Sequence, residues 1–318
     1  MKLLYNKVFL GHDTGMHPEN RQRLEVCAPD KESVVENGGS YLNLVHTSDY
    51  IDYVKSFCPS GGHLDADTMV SPESYAAAVH AVGASVMASQ TNNFALVRPP
   101  GHHAYPSRST GFCVFNNIAI ATANLVKQGK RVFIFDFDGH CGDGTEAIFY
   151  DTDKVFYWSL HQSPAFPYKG MENEIGKGKG KGFTINVCLP SESGDDIYLR
   201  ALEHLIPAAE QFHPDVVAVS AGFDAHHADS LLNLRLTTTM YYKIGQILRE
   251  RFQNIFAVLE GGYNLKYLPK CLDNFMRGIN NQPIGFEESP TESSIQVINE
   301  FDLNLSGLEN NLAVFWKF

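Results

Sequence analysis

Hydrophobic positions in this chain come in blocks. Short runs rich in β-branched and aromatic residues, at 132–135, 155–160, 184–189, 216–221 and 255–260, are separated by longer stretches in which apolar residues recur every three or four positions. Continuous apolar runs of that length mark strands buried on both faces, and the longer period marks helices. Helices are therefore expected at 196–211, where Leu199, Leu202, Leu205 and Ile206 form a stripe, and at 238–252 and 265–280. Nearer the N-terminus, 2–5 and 94–97 read as further strands, and His17-Pro18-Glu19-Asn20 reads as a loop opening a helix. Thr47-Ser48-Asp49 and Ser71-Pro72-Glu73 are helix-start signals. Both following segments are expected to be amphipathic, the second with Val79, Val82 and Val86 on its apolar face. An Ala/Ile-rich helix should run to about Lys127. Strands alternating with helices predict an α/β domain with a central parallel sheet and helices on both faces.

No linker divides the chain, so a single domain over 1–318 is expected. The Gly/Lys run at 176–182 reads as a surface turn. From Gln282 the sequence turns polar and irregular before the apolar end at 312–318, so 281–318 is expected to be a tail that packs back on the body.

Composition narrows the function. The net charge is −11 and the basic residues form no long block, which argues against a nucleic-acid partner and agrees with a cationic substrate. The six cysteines lack C-x-x-C spacing, so neither a disulfide framework nor a thiolate zinc site is indicated. No stretch approaches membrane-spanning length, and the expected location is the cytoplasm.

The chemistry gathers at strand ends, where open α/β sheets bind their ligands. The run V-F-I-F-D-F-D-G-H-C-G-D-G-T at 132–145 leaves its strand through glycines. Side-chain alternation puts Asp136, Asp138 and His140 on one side and Phe137, Gly139 and Cys141 on the other. Two carboxylates and an imidazole suit a divalent metal, although one aspartate could instead cap the next helix. After the strand at 94–97, a Pro- and Gly-bearing loop carries His102 and His103. Asp224 follows the strand at 216–221, and Tyr263 sits on a Gly-Gly turn after the strand at 255–260. Ser159, Leu160 and His161 end another strand, where carbonyls and a hydroxyl could serve a monovalent cation or simply terminate the strand.

Together R-P-P-G-H-H at 98–103, G-F-C-x-F-N-N at 111–117, D-x-D-x-H-x-G-D-G-T at 136–145, S-A-G-F-D at 220–224 and G-G-Y-N at 261–264 resemble the zinc-dependent histone deacetylase and acetylpolyamine amidohydrolase family, from about His17 to Asn280. The resemblance implies the arginase/deacetylase fold, with a sheet of about eight parallel strands, and hydrolysis of an N-acetyl amide. It implies one zinc ion per chain on Asp138, His140 and Asp224. His102 and His103 would be the catalytic histidines, oriented by Asp136 and Asp143. Tyr263 would donate to the carbonyl oxygen. Gly111, Phe112, Phe166 and Leu231 would line the substrate tunnel. A structural potassium ion would use Asp136, Asp138, His140, Ser159 and Leu160.

Zinc and Tyr263 would then polarise the amide carbonyl, with His103 as general base toward water. Two departures stand out. Cys141 follows the metal-binding histidine where the family usually has a second histidine; it reads as a buried filler rather than a redox switch. Binuclear manganese hydrolases of the same fold would need aspartates where this chain has Gly142 and His226, so one metal is expected. The expected substrate is acetyl-lysine in protein, because Leu231 stands where a polyamine-selective relative would carry a glutamate. Acetylpolyamine is the close alternative, with Asp229 or Asp67 as possible rim carboxylates. A catalytically silent acetyl-lysine-binding module is the alternative of another class, and the intact ligands, His103 and Tyr263 argue against it.

Overall fold

Where the apolar runs pair, they do so in one direction. The computed structural model describes residues 1–318. Its strands are β1 Leu3–Leu4, β2 Gly62–His63, β3 Met69–Val70, β4 Phe94–Ala95, β5 Val132–Asp136, β6 Val155–Gln162, β7 Thr184–Leu189, β8 Val216–Ala221 and β9 Ile255–Leu259. The helices are α1 Gln22–Glu25, α2 Ser48–Phe57, α3 Ser74–Thr91, α4 Asn117–Lys127, α5 Asp143–Phe149, α6 Asp195–Phe212, α7 Thr238–Arg251, α8 Leu268–Ile279 and α9 Ile295–Leu312. Seven strands form the central sheet in the order β1-β4-β9-β8-β5-β6-β7, and every pairing is parallel. That is one strand fewer than the resemblance implies. β2 and β3 make a separate antiparallel pair.

β5 through β9 are buried along their whole length, as continuous apolar runs require. Around them Phe133, Phe135, Phe156 and Trp158 stack in one aromatic layer. Most of the molecule's apolar side chains join a single core with them. All six cysteines are free thiols. No helix is long and apolar enough to cross a membrane.

Two helices differ from the expectation. α3 is not amphipathic: Ala78, Val79, Ala81, Val82, Ala84, Ser85 and Ala88 are buried on all sides of it. Its small side chains let other segments approach closely, and a Cβ at Gly83 would lie 1.9 Å from the Glu36 carbonyl oxygen. A helix covered all round cannot announce itself by a polar face. The second is α9, which lies in the stretch expected to be irregular. Ser294 caps it by accepting a hydrogen bond from the Val297 N–H, and Phe301, Leu305, Leu308 and Leu312 form its buried stripe. It lies along β7, the edge strand, where Asn304 donates to the Cys188 carbonyl at 3.0 Å. Beyond α9, the Trp316 indole N–H donates to the Gly182 carbonyl, and its ring packs on Phe156 and Phe183.

Register fixes where the loops emerge. Asp136 ends β5 opposite Ser220 of β8 and Ser159 of β6, and Ala221 of β8 lies opposite Leu259 of β9. The loops after β4, β5, β8 and β9 therefore leave the same end of the sheet side by side.

Candidate active site

Past Asp136 the chain leaves the sheet, and Asp138 and His140 turn toward Asp224 from the β8 loop. His140 Nδ1 lies 3.1 Å from Asp138 Oδ1 and 3.0 Å from Asp224 Oδ2. The carboxylates are fixed from behind by backbone. The Gly261 N–H donates to Asp138 Oδ2 at 2.7 Å, and the Gly139 N–H donates to Asp224 Oδ1 at 2.8 Å. Glycine is required for such close approach: a Cβ at Gly222 would sit 1.9 Å from Asp138 Oδ2, and one at Gly261 would sit 2.3 Å from Asp224 Oδ2. Burial alone would lower the His140 pKa, but Asp224 and Asp138 outweigh it and push the imidazole up to about 10. Two buried carboxylates aimed at one point call for a cation between them. One ring nitrogen and two carboxylate oxygens form a borderline donor set that fits zinc, iron or cobalt.

Asp136, expected beside these ligands, turns away to the loop after β4, because alternation holds only while the strand lasts. Its Oδ2 is 3.1 Å from His102 Nδ1, and His103 Nδ1 lies 2.8 Å from Asp143 Oδ1 at the start of α5. Each ring thus has one nitrogen held by a carboxylate and the other left for chemistry. Burial, and then the neighbouring His102 ring, lower His103 to about 4, which favours the neutral imidazole. Despite its own burial, Asp143 is held below the ordinary carboxylate range by His103 and Tyr105. Lys169 Nζ donates to the Tyr105 hydroxyl at 2.6 Å, and that hydroxyl donates to Asp143 Oδ2 at 2.7 Å. This chain runs from the surface to the carboxylate that holds His103 and was not foreseen from sequence.

The loop bearing the two histidines rests on residues that sequence reasoning left without a role. Glu260 Oε2 accepts from the N–H groups of Gly101 at 2.7 Å and His102 at 3.1 Å. Asn117 donates to the Pro99 carbonyl and Asn116 to the Ala104 carbonyl. Buried Glu19 binds both Arg98 and Arg23. Arg23 also donates to the carbonyls of Gly262 and Glu260, each at 2.6 Å, and lies 4.9 Å from the centre of the Tyr263 ring. One buried ion network therefore shapes both the histidine loop and the Tyr263 turn.

A cavity of about 220 Å³ leads to the cluster, lined by Asp67, His103, Gly111, Phe112, His140, Phe166, Leu231 and Tyr263. The expected tunnel residues are thus brought together with His140, His103 and Tyr263. Phe112 has φ 67° and sits edge-on to Tyr263 at 5.9 Å and to His17 at 4.5 Å. Phe166 stands 5.1 Å from the His103 ring, on the other wall. Gly111 has φ +57°, and a Cβ there would meet His103 at 2.5 Å, so the wall closes onto that ring only because this position is glycine. Burial pushes the Tyr263 phenol well above its ordinary pKa, which keeps it a hydrogen-bond donor. Leu231 brings no charge to the rim, but Asp67 does.

Ser159 and Leu160 are fully buried beside Asp136. The Ser159 hydroxyl is 2.8 Å from His161 Nδ1, while His161 Nε2 meets the Gly170 carbonyl at 2.9 Å. The ring N–H therefore points to Gly170 and Nδ1 accepts from Ser159, leaving the serine oxygen lone pairs available. Cys141 points away from the cluster toward Glu146 and Asn186, and burial pushes its thiol well above the usual range.

A model of the histone deacetylase domain matches residues 17–279. Over its whole length the chain is 35% identical to a probable deacetylase of Methanothermobacter thermautotrophicus, covering 100% of both. It is also 35% identical to a probable deacetylase of Archaeoglobus fulgidus, over 83% of this chain and 81% of that one. A histone deacetylase-like amidohydrolase of Pseudomonas aeruginosa is 36% identical, over 71% of this chain and 64% of that protein. Among solved structures, the HDA15 HD domain superposes with a TM-score of 0.87 at 30% identity, covering 98% of each chain. With the arginase/deacetylase fold and this end of the sheet in view, the chain belongs to the histone deacetylase family of amidohydrolases.

Proposed function

We propose that this protein hydrolyses the N-acetyl amide of acetyl-lysine side chains, with one zinc ion held by Asp138, His140 and Asp224. The observation that carries the reading is the aromatic-walled cavity of about 220 Å³ reaching His103, His140 and Tyr263. It suits a slender acyl-aminoalkyl chain. Zinc held by these three side chains would supply Lewis acidity toward an amide carbonyl and water. The remaining work falls to the chain. His103, its Nδ1 held by Asp143, takes a proton from the attacking water. The Tyr263 hydroxyl donates to the carbonyl oxygen as negative charge develops on it. His103 then returns the proton to the departing nitrogen, giving acetate and a free amine. His102 is oriented by Asp136 in the same way, on the Asp138 side of the cavity. Carbonyls and the free lone pairs around Asp136, Asp138, His140, Ser159 and Leu160 suit a structural potassium ion.

A second reading, acetylpolyamine hydrolysis, is favoured by one observation: Asp67 places a carboxylate on the cavity wall although Leu231 does not. Such a charge could attract the distal ammonium of a polyamine. Turnover of acetyl-lysine peptides against N-acetylputrescine and acetylspermidine, repeated at high salt to screen the overall charge of −11, decides between them. The expected result is higher kcat/KM on the peptides. Polyamine preference that survives high salt, and is lost in Asp67→Asn, reverses the ranking. Binding of acetylated peptides with no turnover by metal-replete protein would make the chain a binding module instead.

A further inference from the structure

Two residues beyond Asp224, the chain carries a second group of ligand-type side chains that the proposed mechanism does not use. His226 stands where a binuclear hydrolase of this fold would need an aspartate, yet it faces away from the Asp138 cluster. Its ring is buried and stacked on Tyr267 at 4.5 Å, with Nε2 3.0 Å from Glu288 Oε2. The neighbouring His227, 38% exposed, brings its Nε2 to 3.4 Å from Glu288 Oε1. The candidate ligand atoms of all three residues lie within 4.8 Å of one another.

Tetrahedral zinc with bonds of about 2.1 Å separates its ligand atoms by roughly 3.4 Å. Each imidazole already stands about that far from one oxygen of the Glu288 carboxylate, His226 from Oε2 and His227 from Oε1, so the carboxylate bridges the two rings. Glu288 is not a loose surface acid. Thr238 N–H donates to its Oε2 at 2.7 Å, its own N–H donates to Thr239 Oγ1, and Thr239 returns a bond to its carbonyl. On the open side lies a cavity of about 640 Å³, lined by His227 and Glu288 with Glu192, Asp229 and Arg235 among others, which leaves room for water as a fourth ligand. Two imidazoles and a carboxylate with one open position form a zinc-type donor set.

The cluster is mechanically joined to the active site. The Asp229 N–H donates to the His226 carbonyl at 2.8 Å, and Ala228 N–H donates to His226 Nδ1 at 3.1 Å. From the other side, Asp229 Oδ2 accepts from Tyr263 N–H at 2.7 Å and Asn264 N–H at 3.0 Å, while the Asn264 side chain donates to the Ala228 carbonyl. Ligation through His226 Nε2 places the ring N–H at Nδ1, so Ala228 N–H loses its acceptor and the 226–229 turn must shift. Tyr263 hangs from that turn.

We propose that His226, His227 and Glu288 form a second, exchangeable site for a zinc-class divalent ion, whose occupation slows turnover by displacing the turn that anchors Tyr263. The binding half stands alone; the regulatory half rests on the role proposed above for Tyr263.

The test is equilibrium dialysis of the purified holoenzyme against rising micromolar ZnCl2, with elemental analysis and kcat measured on the same samples. The parent should take up a second equivalent and lose kcat severalfold as it does so, with little change in KM. His227→Gln and Glu288→Gln should keep the first equivalent and the basal kcat, bind the second at least about tenfold more weakly, and resist inhibition. His227 is exposed enough that its replacement leaves the fold intact, so that variant remains decisive if Glu288→Gln disturbs the tail. A parent that stops at one equivalent, or a second equivalent kept in both variants, overturns the site. Uptake lost in the variants but without any fall in parental kcat overturns the regulation. Should Asp138→Asn hold as much tightly bound metal as the parent, the primary assignment fails instead, and the His227→Gln comparison still decides this one.

Discussion

The turn from Asp224 to Asp229 has an imidazole-carboxylate cluster on each side, and the two are built differently. On one side Asp138 and Asp224 are almost fully buried, gripped by the N–H groups of Gly261 and Gly139, in a cradle that excludes a Cβ at Gly222 or Gly261. On the other, His227 and Glu288 are part-exposed, and the carboxylate arrives from the segment between α8 and α9. The donor chemistry is similar. What differs is how much of the protein must move before a ligand can let go. Carboxylates locked by backbone would release an ion only if the loops that grip them moved. A histidine at the surface would trade an ion with solvent.

The sharpest way to break the comparison is Asp138→Asn. It should strip the tightly held metal and lower kcat/KM by at least the hundred- to thousandfold that losing an electrostatic stabiliser typically costs. The His226 cluster should still bind zinc in that protein, as dialysis with elemental analysis would reveal; retention of the tight equivalent would refute the ligand assignment. Tyr263→Phe comes next. It should cost on the order of a hundredfold in kcat, with metal content and KM close to parental, as steady-state kinetics would measure.

A smaller effect is expected between the clusters. Asp229→Asn keeps an acceptor but removes the charge that holds the Tyr263 and Asn264 N–H groups. A charge-assisted bond is worth about 1.5–3 kcal/mol, so kcat should fall roughly tenfold with the tight metal retained. An unchanged kcat would show that the 226–229 turn does not steady the tyrosine.

The smallest effect lies outside both clusters. Burial lowers His46 to about 4 even though backbone carbonyls accept its N–H, and its Nε2 accepts from Asn116 N–H at 2.9 Å. The unfolded chain binds this proton below about pH 6.5 and the native state only near 4. Its contribution to stability is therefore present above that window and is lost as pH falls through it, by at most about 1.4 kcal/mol per pH unit. His46→Gln should flatten the decline of Tm between pH 6.5 and 4, and an identical slope would assign the acid sensitivity elsewhere.

The strands and most of the candidate site were legible because their signals are local. Asp138, His140 and Asp143 share one short stretch, and Asp224 and Tyr263 each follow a strand whose end the apolar run marks. What was hidden depends on partners far away in sequence. Glu19 meets Arg98 across 79 positions, and Arg23 reaches Gly262 across 239. In isolation each is an ordinary charged residue, and only burial shows that they steady the catalytic loops. Alternation alone grouped Asp136 with Asp138 and His140, whereas its contact with His102 joins loops 34 positions apart and came into view only through the family resemblance. Leu231 and Asp67 were both weighed for the rim from sequence, and only the fold shows that they line one cavity. The stripe of α9 was present in the sequence but diluted by the polar residues between its members.

The same α9 bears on how the molecule behaves among copies of itself. A parallel sheet this apolar ends at β7 in a row of unpaired amides and carbonyls, the surface on which neighbouring chains add strands. Asn304 and Trp316 occupy carbonyls along that margin, and the helix stands between it and any approaching strand. Undocking α9 would bare that margin to strand addition by another chain. Glu288 lies on the segment that tethers this helix, so an ion bound there would also shorten the leash on the guard of the sheet.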